Sequence, residues 1–346
     1  MNSKKLLMIS TDRKIFEENS DVRKRQIEYA KNWQEVHIIV FALAGKYPRE
    51  LSISENCKVY STNSYLRILY IKDAINIGKR IIRKNVIDEI TCQDTSFTAN
   101  AGLVLAHKYK IPIELQVHGD ISSPFSKKGF VGKWRNKLTM ENIPKADKIR
   151  VVSGRIKNYV EGLISNLEKK PVIELRPIAV NEAEIINCPI TVDLKSKYKQ
   201  YEFVAFMASR FEKEKNIKLA IRAWVEVIKS FPKAGLIIIG QGSLEPNLKA
   251  LVVESGLAKS VIFENWVDKM ILYSYYKTAD LFLNTSLFEG YGLTLKEASV
   301  AGATTISTDV GIASEVGAII SSFDSHDLAT KIRSVFMNKK KKNYDQ

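Results

Sequence analysis

Residues 281–298 read LFLNTSLFEGYGLTLKEA, which is an apolar run, a glycine-rich turn and a second apolar pattern at helical spacing. The run Leu281–Asn284 predicts a buried strand, and the spacing after Gly292 predicts a helix over Leu293–Val300. Gly290 and Gly292 permit close backbone approach and positive φ in the turn. The amides and the positive dipole end of such a helix form a ready anion site. The stretch therefore predicts an anion-binding strand–turn–helix unit of an α/β fold.

Two glutamates belong to this unit, Glu289 in the loop and Glu297 about a turn and a half into the predicted helix. Each carboxylate can accept hydrogen bonds from the hydroxyl groups of a ligand. The alternative is a plain strand–turn–helix with two solvent-facing glutamates. We favour the ligand site because both glycines and the apolar frame accompany the acidic pair.

Strands and helices alternate on either side of this unit, which predicts parallel sheets with helices on both faces. The predicted strands of the first half are Lys5–Ser10, Val36–Leu43, Lys58–Thr62, Val86–Cys92, Ile111–His118, Lys148–Ser153 and Val172–Leu175. Those of the second half are Phe203–Ala208, Gly235–Ile239, Val261–Glu264, Leu281–Asn284 and Thr304–Ser307. The predicted helices are Ser20–Asn32, Leu66–Lys84, Thr95–Tyr109, Asn216–Ser230, Leu244–Glu254, Lys269–Lys277 and Leu293–Val300.

This periodicity lapses between Arg176 and Lys199, where two prolines interrupt it. We therefore predict an N-terminal Rossmann-like domain at residues 1–178, a linker at 179–200 and a C-terminal Rossmann-like domain at 201–346. Two such domains facing each other across a cleft bring their strand carboxyl ends to one crevice, where ligands bind in these sheets.

The totals place the chain among globular cytosolic proteins. Its 346 residues suit two domains, and 45% hydrophobic residues is ordinary. No apolar run approaches the ~18–20 residues of a membrane span. The apolar run in Met1–Ser10 is too short for a signal peptide, so we expect a first strand there. Cys57, Cys92 and Cys188 show no metal or redox spacing, which suits a reducing compartment.

The formal net charge of +15 is unusual. Part of it is the run Lys339–Lys342, which we expect to be a solvated, frayed tail. Ten basic and two acidic residues lie between Ile121 and Lys157, with Phe125, Phe130 and Trp134 among them. Such a basic balance attracts nucleic acid, anionic lipid or phosphorylated small molecules.

Three further loops follow predicted strands. In the first, ASRFEKEKN at 208–216, Arg210 and Lys215 could neutralise a diphosphate without a metal, although a solvated charged loop is the alternative. In the second, QVHGD at 116–120, a structural role for His118 is the alternative to a substrate contact. The third holds Gly240 and Gly242, candidate donor-binding glycines that a tight turn explains equally well.

The residue pattern disfavours a metal site and a P-loop. The four histidines are isolated, and we find no Asp-x-Asp pair of the kind that metal-dependent sugar transferases use. A glycine-rich loop ending in Gly-Lys-Ser/Thr is also missing. We therefore expect neither a metal ion nor a cofactor, and we expect the ligand of the anion site to be a substrate.

Taken together, these motifs resemble the retaining family 4 glycosyltransferases of the GT-B fold. The resemblance runs from about Phe203 to Glu315 and is looser in the first half. Its second-half motifs are Arg210 with Glu214-Lys215, Ile239–Gly242, Tyr276–Asp280, Asn284–Gly292, Leu295–Ala298, Ala301-Gly302 and Asp309–Gly311. Its first-half motifs are Val117–Gly119, Ala146-Asp147 and Val151–Ser153.

The resemblance implies roles for these residues. Arg210 and Lys215 would hold the diphosphate of a UDP- or GDP-linked sugar, and Glu297 would bind the ribose. Glu289 would hold the donor sugar and phosphate together with the amides of Gly290, Tyr291, Gly292 and Leu293. His118 would reach the sugar from the first domain. The reaction would be metal-independent hexosyl transfer with retention, in which the leaving phosphate deprotonates the acceptor; the chain shows no obvious nucleophile pair.

The sequence departs from the family in two places. The family's glycine pair after the first strand is missing, and Asn19-Ser20 stands about where it would be. The C-terminal segment after Glu315 is also short, so we expect weaker closure between the domains and a possible truncation.

The basic, aromatic stretch suggests the acceptor. Its candidate membrane contacts are Lys127, Lys128, Lys133, Trp134, Arg135 and Lys137. They suit peripheral contact with anionic lipid at the inner face of the cell membrane, and a solvated basic face is the alternative. The expected acceptor is a saccharide or lipid-linked saccharide for cell-surface polysaccharide or glycolipid synthesis. No nucleic-acid motif accompanies the charge.

Two other functions stay open at this stage. One is a sugar-phosphate synthase or nucleotide-sugar epimerase of the same superfold. The other is a catalytically silent partner subunit, which the missing glycine pair favours and the intact charged residues disfavour.

Overall fold

The computed structural model describes residues 4–127 and 129–344. The chain divides into two compact units, Met1–Pro177 and Ile178–Gln346. Residues 179–200, which the sequence predicts as a linker, carry two short helices that pack on helices of the second unit.

The first unit is built on an eight-stranded sheet of order β3-β4-β2-β1-β5-β6-β7-β8. Its strands are β1 (Lys5–Ser10), β2 (Glu35–Val40), β3 (Glu50–Ser54), β4 (Cys57–Ser61), β5 (Glu89–Cys92), β6 (Ile113–Val117), β7 (Lys148–Val151) and β8 (Val172–Leu175). All neighbouring strands are parallel except β3 and β4, which form an antiparallel hairpin. The helices are α1 (Asp21–Ala30), α2 (Tyr70–Lys84), α3 (Phe97–Tyr109), α4 (Gly129–Asn142) and α5 (Gly154–Leu163).

The apolar core of this unit explains why these segments pair. Met8 of β1 and Ile38 of β2 are buried under Val22 and Ala30 of α1. Ser20 caps α1, as predicted, because its Oγ accepts a hydrogen bond from the amide of Arg23. Strand β3 was not predicted, since its residues are mostly open to solvent at the edge of the sheet.

The second unit is built on a six-stranded parallel sheet of order β11-β10-β9-β12-β13-β14. Its strands are β9 (Phe203–Ala208), β10 (Ala234–Ile239), β11 (Val261–Glu264), β12 (Leu281–Asn284), β13 (Thr305–Thr308) and β14 (Ile319–Ser321). The helices are α6 (Glu182–Asn187), α7 (Leu194–Lys197), α8 (Ile217–Ser230), α9 (Glu245–Glu254), α10 (Lys269–Thr278), α11 (Leu293–Val300) and α12 (Ser325–Tyr344). Every residue of β9 and β10 is buried, as expected of central parallel strands covered on both faces.

The expectation of a frayed lysine tail is wrong. Helix α12 continues through these lysines, and Lys339 forms an ion pair with the buried carboxylate of Asp280. The helix is held because Phe336 packs edge-on against Phe203, with ring centroids 4.8 Å apart. Lys340 extends this contact, with its Nζ 3.6 Å from Glu202 Oε2. None of the helices in the described part of the chain is long and apolar enough to cross a membrane.

Candidate functional site

The candidate site of the second unit lies where its strand order reverses, between β9 and β12. Ligands bind beyond the carboxyl ends of the strands at such a switch point. The loops that leave these two strands are joined there. Thr285 Oγ1 donates to the carbonyl oxygens of Lys215 and Asn216, each at 3.1 Å, and the amide of Leu287 donates to Glu214 O at 2.7 Å. The sheet topology thus brings two predicted motifs, 74 residues apart in sequence, into contact.

Lys215 and Glu289 form the charged centre of this site. Lys215 Nζ lies 2.5 Å from Glu289 Oε1, and the two side chains are only 17% and 16% exposed. The buried hydroxyl of Ser286 donates to the same Glu289 oxygen at 2.8 Å. The solvated-loop alternative is therefore wrong for Lys215. A cation with so little solvent is tolerated because a carboxylate partner is in contact with it.

Arg210 differs from Lys215 in its exposure. Its Nη2 lies 3.0 Å from Glu214 Oε1, but the side chain is 65% exposed. The backbone next to it is fixed, because the amide of Phe211 donates to Gln241 O at 2.9 Å. Arg210 is thus a solvent-accessible cation on an ordered loop at the same strand end as Lys215.

Gly240 and Gly242 are required by close backbone packing. Gly240 has φ of +139°, and a Cβ there would lie 2.0 Å from Ser209 O. A Cβ on Gly242 would lie 2.7 Å from the backbone nitrogen and oxygen of Phe211. The two glycines therefore let the loop after β10 lie directly against the loop that carries Arg210. This geometry supports the tight-turn interpretation, and donor contact by these glycines stays a prediction.

Backbone contacts at Gly311 and Ile312 support the turn between Glu289 and α11. Gly292 has φ of +93° and is the N-cap residue of α11. The amide of Ile312 donates to Tyr291 O at 2.9 Å. Gly311 has φ of +53°, and a Cβ there would lie 2.2 Å from the same oxygen. The sequence motif at 309–311 had flagged Gly311, but not its role as a support for this turn.

Glu297 lies on α11 and faces α10. Its Oε2 accepts a hydrogen bond from the hydroxyl of Tyr276 at 3.3 Å. Burial raises the pKa of Glu297, and the Tyr276 hydrogen bond only partly offsets that effect. The pKa of Tyr276 is itself raised, first by burial and then by the charge of Glu297. Glu297 is therefore half-buried beside a polar partner, in the same unit as the other candidate residues for binding the donor substrate.

His118 belongs to the first unit, directly after β6. Its Nε2 lies 2.9 Å from Gln116 Oε1, and the residue is exposed. The protein packed around the ring removes water from it, and this desolvation lowers the pKa of His118. The positive charge of Arg150 lowers it further. The ring is therefore neutral at pH 7.

The predicted membrane-contact residues lie on or just before α4. Lys133, Trp134, Arg135 and Lys137 are exposed, and Lys127 is half-buried, with its Nζ over the ring of Tyr159. Lys128 lies outside the described residues. Phe130, 84% exposed, and Val131 add apolar surface at the start of the same helix.

A second apolar surface was missed by the sequence analysis. Tyr65, Leu66 and Ile68 are largely exposed in the loop between β4 and α2. Three exposed apolar side chains within four residues are unusual for a soluble surface. Because β4 and β6 are parallel strands of one sheet, this loop and the loop leading to α4 leave the same edge. The signal in the sequence was Tyr65–Ile68 itself, of which helical periodicity assigned Leu66 and Ile68 to the start of α2.

Among the described residues, no three or more histidine, cysteine, aspartate or glutamate side chains are placed together to hold a metal ion.

Comparison with known proteins identifies the second unit. The model of the family described as glycosyl transferases group 1 matches residues 193–345. The second unit belongs to the glycosyl transferases group 1 family. This group 1 unit contains both loops of the switch-point site and the whole of α11.

The chain that carries the group 1 unit also has curated and structural relatives. An alpha-monoglucosyldiacylglycerol synthase of Acholeplasma laidlawii is 27% identical over 261 residues, which cover 70% of this chain and 62% of that protein. The match thus spans less than two thirds of that relative's length. A sucrose-phosphate synthase from Thermosynechococcus elongatus superposes with a TM-score of 0.73 at 18% identity, over 96% of this chain and 90% of that chain. Anabaena HepE in complex with UDP gives a TM-score of 0.72 at 16% identity, over 97% and 90% of the two chains. The GT-B fold class predicted from the sequence is therefore confirmed.

Proposed function

We propose that this chain transfers a hexosyl unit from a UDP- or GDP-linked sugar to a saccharide or lipid-linked saccharide acceptor, with retention and without a metal ion. The observation that carries the proposal is the Lys215–Glu289 pair at the β9/β12 switch point, beside the N-terminus of α11. One cation, one carboxylate and a helix N-terminus suit a ligand that joins a diphosphate to a polyhydroxylated sugar.

The diphosphate is held by charge. Each cation is paired with a carboxylate in the structure, Lys215 with Glu289 and Arg210 with Glu214. A bound phosphate oxygen takes the place of Glu289 at Lys215 and also draws Arg210 towards it. The amides of Leu295 and Lys296 donate to the carbonyl oxygen of Gly292, whereas those of Leu293 and Thr294, at the very start of α11, can donate to the same phosphate. Negative charge that develops on the leaving diphosphate is then stabilised by groups that are already in place.

The released Glu289 carboxylate becomes an acceptor for hydroxyl groups of the sugar. Ser286 keeps its oxygen in position through the 2.8 Å hydrogen bond. Glu297, the fifth residue of α11, accepts hydrogen bonds from the ribose hydroxyls. His118, directly after β6 in the first unit, offers a neutral ring to a sugar hydroxyl.

Transfer with retention needs no protein nucleophile in this scheme. The bond between the anomeric carbon and the leaving phosphate breaks while the acceptor oxygen bonds to the same face of that carbon. The acceptor proton passes to a phosphate oxygen, so the products are the glycoside and the nucleoside diphosphate. The role of the chain is to position the two substrates and to stabilise the developing charges.

A lipid-linked acceptor is supported by the surface of the first unit and by the name of the Acholeplasma relative, a diacylglycerol glycolipid synthase. Phe130 and Trp134 are exposed beside Lys133 and Lys137 on α4, and Tyr65–Ile68 leaves the same sheet edge. Apolar side chains surrounded by lysines can enter the headgroup region of an anionic bilayer. This surface supports an acceptor reaction at a membrane face.

A panel of UDP- and GDP-linked hexoses, incubated with the protein and anionic vesicles in EDTA, tests the proposal. We expect nucleoside diphosphate release from one donor class and, with a competent acceptor, a product with the anomeric configuration of the donor. Inverted configuration would overturn retention, and activity restored only by a divalent metal would overturn metal independence. No release and no nucleotide binding across the panel would favour the silent partner subunit.

A further inference from the structure

A chain of buried polar side chains leads to His118 across the first sheet. The face of the sheet that is apolar under α1 carries buried polar side chains on β5 and β6. Met8, Thr91 and Glu114 are register partners on successive strands, so they point to one face. Thr91, Glu114 and Gln116 are at most 3% exposed. Buried polar groups of this kind hold one another in fixed orientations.

The direction of each hydrogen bond among these buried side chains follows from Glu114. Lys148 Nζ lies 3.5 Å from Glu114 Oε2, and an ionised carboxylate only accepts hydrogen bonds. Thr91 Oγ1 donates to Glu114 Oε1 at 3.1 Å. The amide nitrogen of Gln116 donates to Thr91 Oγ1 at 2.8 Å and is 3.3 Å from Glu114 Oε1. The opposite orientation of the Gln116 amide would place its oxygen against the carboxylate oxygen.

The Gln116 carbonyl oxygen therefore points to His118 Nε2, at 2.9 Å. A carbonyl oxygen cannot donate, so Nε2 must carry the ring proton. In a neutral ring Nδ1 is then the nitrogen with the lone pair.

We infer that Gln116 is a positioning residue, which fixes His118 in the Nε2–H tautomer so that Nδ1 accepts a hydrogen bond from one hydroxyl of a sugar substrate. The sugar contact rests on the proposed function, whereas the tautomer does not. The charges around the ring are Glu114 on β6, Arg150 on β7 and Arg25 on α1. Since the surrounding protein and the two arginines disfavour the imidazolium, the ring stays neutral and Nδ1 stays an acceptor.

The tautomer is tested by ¹⁵N-edited NMR of the histidine rings, with His118→Gln used to assign the signal. We expect the wild-type protein to show an Nε2–H proton in slow exchange with water. Gln116→Met removes the acceptor at similar length and should accelerate that exchange at least tenfold. Thr91→Val, which leaves Gln116 in place but frees its amide, should give a smaller acceleration. Gln200→Met, at an exposed glutamine, is the matched control and should change nothing.

Turnover gives the second readout. Gln116→Met should lower kcat/KM for the donor about tenfold, as expected for one hydrogen bond, with nucleoside diphosphate affinity unchanged. Among monodeoxy analogues of the sugar substrates, one should lose about tenfold in kcat/KM in the wild type and little in Gln116→Met.

Two results would overturn the inference: an Nδ1–H tautomer in the wild type, or unchanged proton exchange in both Gln116→Met and Thr91→Val. If Gln116→Met fails to fold, Thr91→Val alone decides. If no nucleotide-sugar is used, the proposed function fails while the NMR result still stands.

Discussion

Lys215 Nζ lies 2.5 Å from Glu289 Oε1, and this pair joins the loop after β9 to the loop after β12. Both side chains are more than four-fifths buried, so the pair is part of the structure of the site as well as of its proposed chemistry. A ligand phosphate must compete with Glu289 for the lysine. This exchange underlies the first prediction.

Lys215→Met should lower kcat by a factor on the order of 10²–10³, because a cation that stabilises the leaving diphosphate is lost. It should also lower the free energy of unfolding by about 1–3 kcal/mol, since Glu289 keeps its burial without its partner. Steady-state kinetics and urea unfolding measure the two effects. The double variant Lys215→Met/Glu289→Gln should recover stability without recovering turnover. Unchanged kcat in Lys215→Met would contradict the assigned role.

Gly311→Ala tests whether the turn at Tyr291 depends on close backbone packing against residue 311. Both this variant and the control Gly256→Ala place a side chain at positive φ, which costs about 1–2 kcal/mol. Only Gly311 also has a backbone oxygen 2.2 Å from the new Cβ, whereas Gly256 has open space around it. We expect Gly311→Ala to unfold at lower urea concentration than Gly256→Ala and to bind nucleoside diphosphate more weakly. Equal stability and affinity in the two variants would contradict this support.

Nucleotide affinity should depend on pH through Glu297. Because burial raises the pKa of Glu297, its carboxylate takes up a proton at a higher pH than an ordinary glutamate does. Ribose hydroxyls donate to the carboxylate, so affinity should be constant above that raised pKa and fall as the pH falls through it. Calorimetric titrations with nucleoside diphosphate over a pH series measure this. The Glu297→Gln variant should lack this component of the pH profile, and an identical profile would rule out Glu297 as the source.

Binding to anionic liposomes should depend on both apolar and basic residues of α4. Replacing Phe130 and Trp134 with serine removes apolar side chains that are 84% and 45% exposed. Replacing Lys133 and Lys137 with glutamate removes contacts worth about 1 kcal/mol each near a charged surface. Both variants should cosediment less than wild type, and wild-type binding should fall steeply with salt. The control is Val253→Ser, which removes an exposed apolar residue of the second unit. Equal cosedimentation with neutral and anionic liposomes would contradict membrane contact and favour the alternative, a solvated basic face.

Much of the fold could be predicted because its central strands are short apolar runs between clear breakers. Strands β9, β11 and β12 and helix α11 have the predicted bounds. Strand β14 and the edge strand β3 were missed, since β3 buries only Ile53 and shows no apolar run. Helix α4 was also missed because basic and aromatic residues hide its apolar stripe, of which only Leu138 is buried on the helix.

The candidate residues could be found from the sequence, but their contacts could not. The Lys215–Glu289 pair depends on the reversal of strand order between β9 and β12, which no local pattern encodes. The loop also seemed exposed because charged runs are usually solvated, yet Lys215 is buried by its partner. Tyr65–Ile68 was missed for the opposite reason, since apolar residues are expected inside.

The most direct measurement of the central claim is a parallel determination of nucleoside diphosphate affinity and donor turnover in Glu289→Gln and Glu297→Gln. Ribose contacts are alike in the ground and transition states, whereas contacts to the sugar can strengthen as it gains positive charge. Glu297→Gln should therefore bind the nucleotide about tenfold more weakly. Glu289→Gln should bind it at least as tightly, because the carboxylate that competes for Lys215 is lost, and should lower kcat by a factor on the order of 10²–10³. Wild-type nucleotide affinity in Glu297→Gln, or normal turnover in Glu289→Gln, would contradict a donor site at the N-terminus of α11.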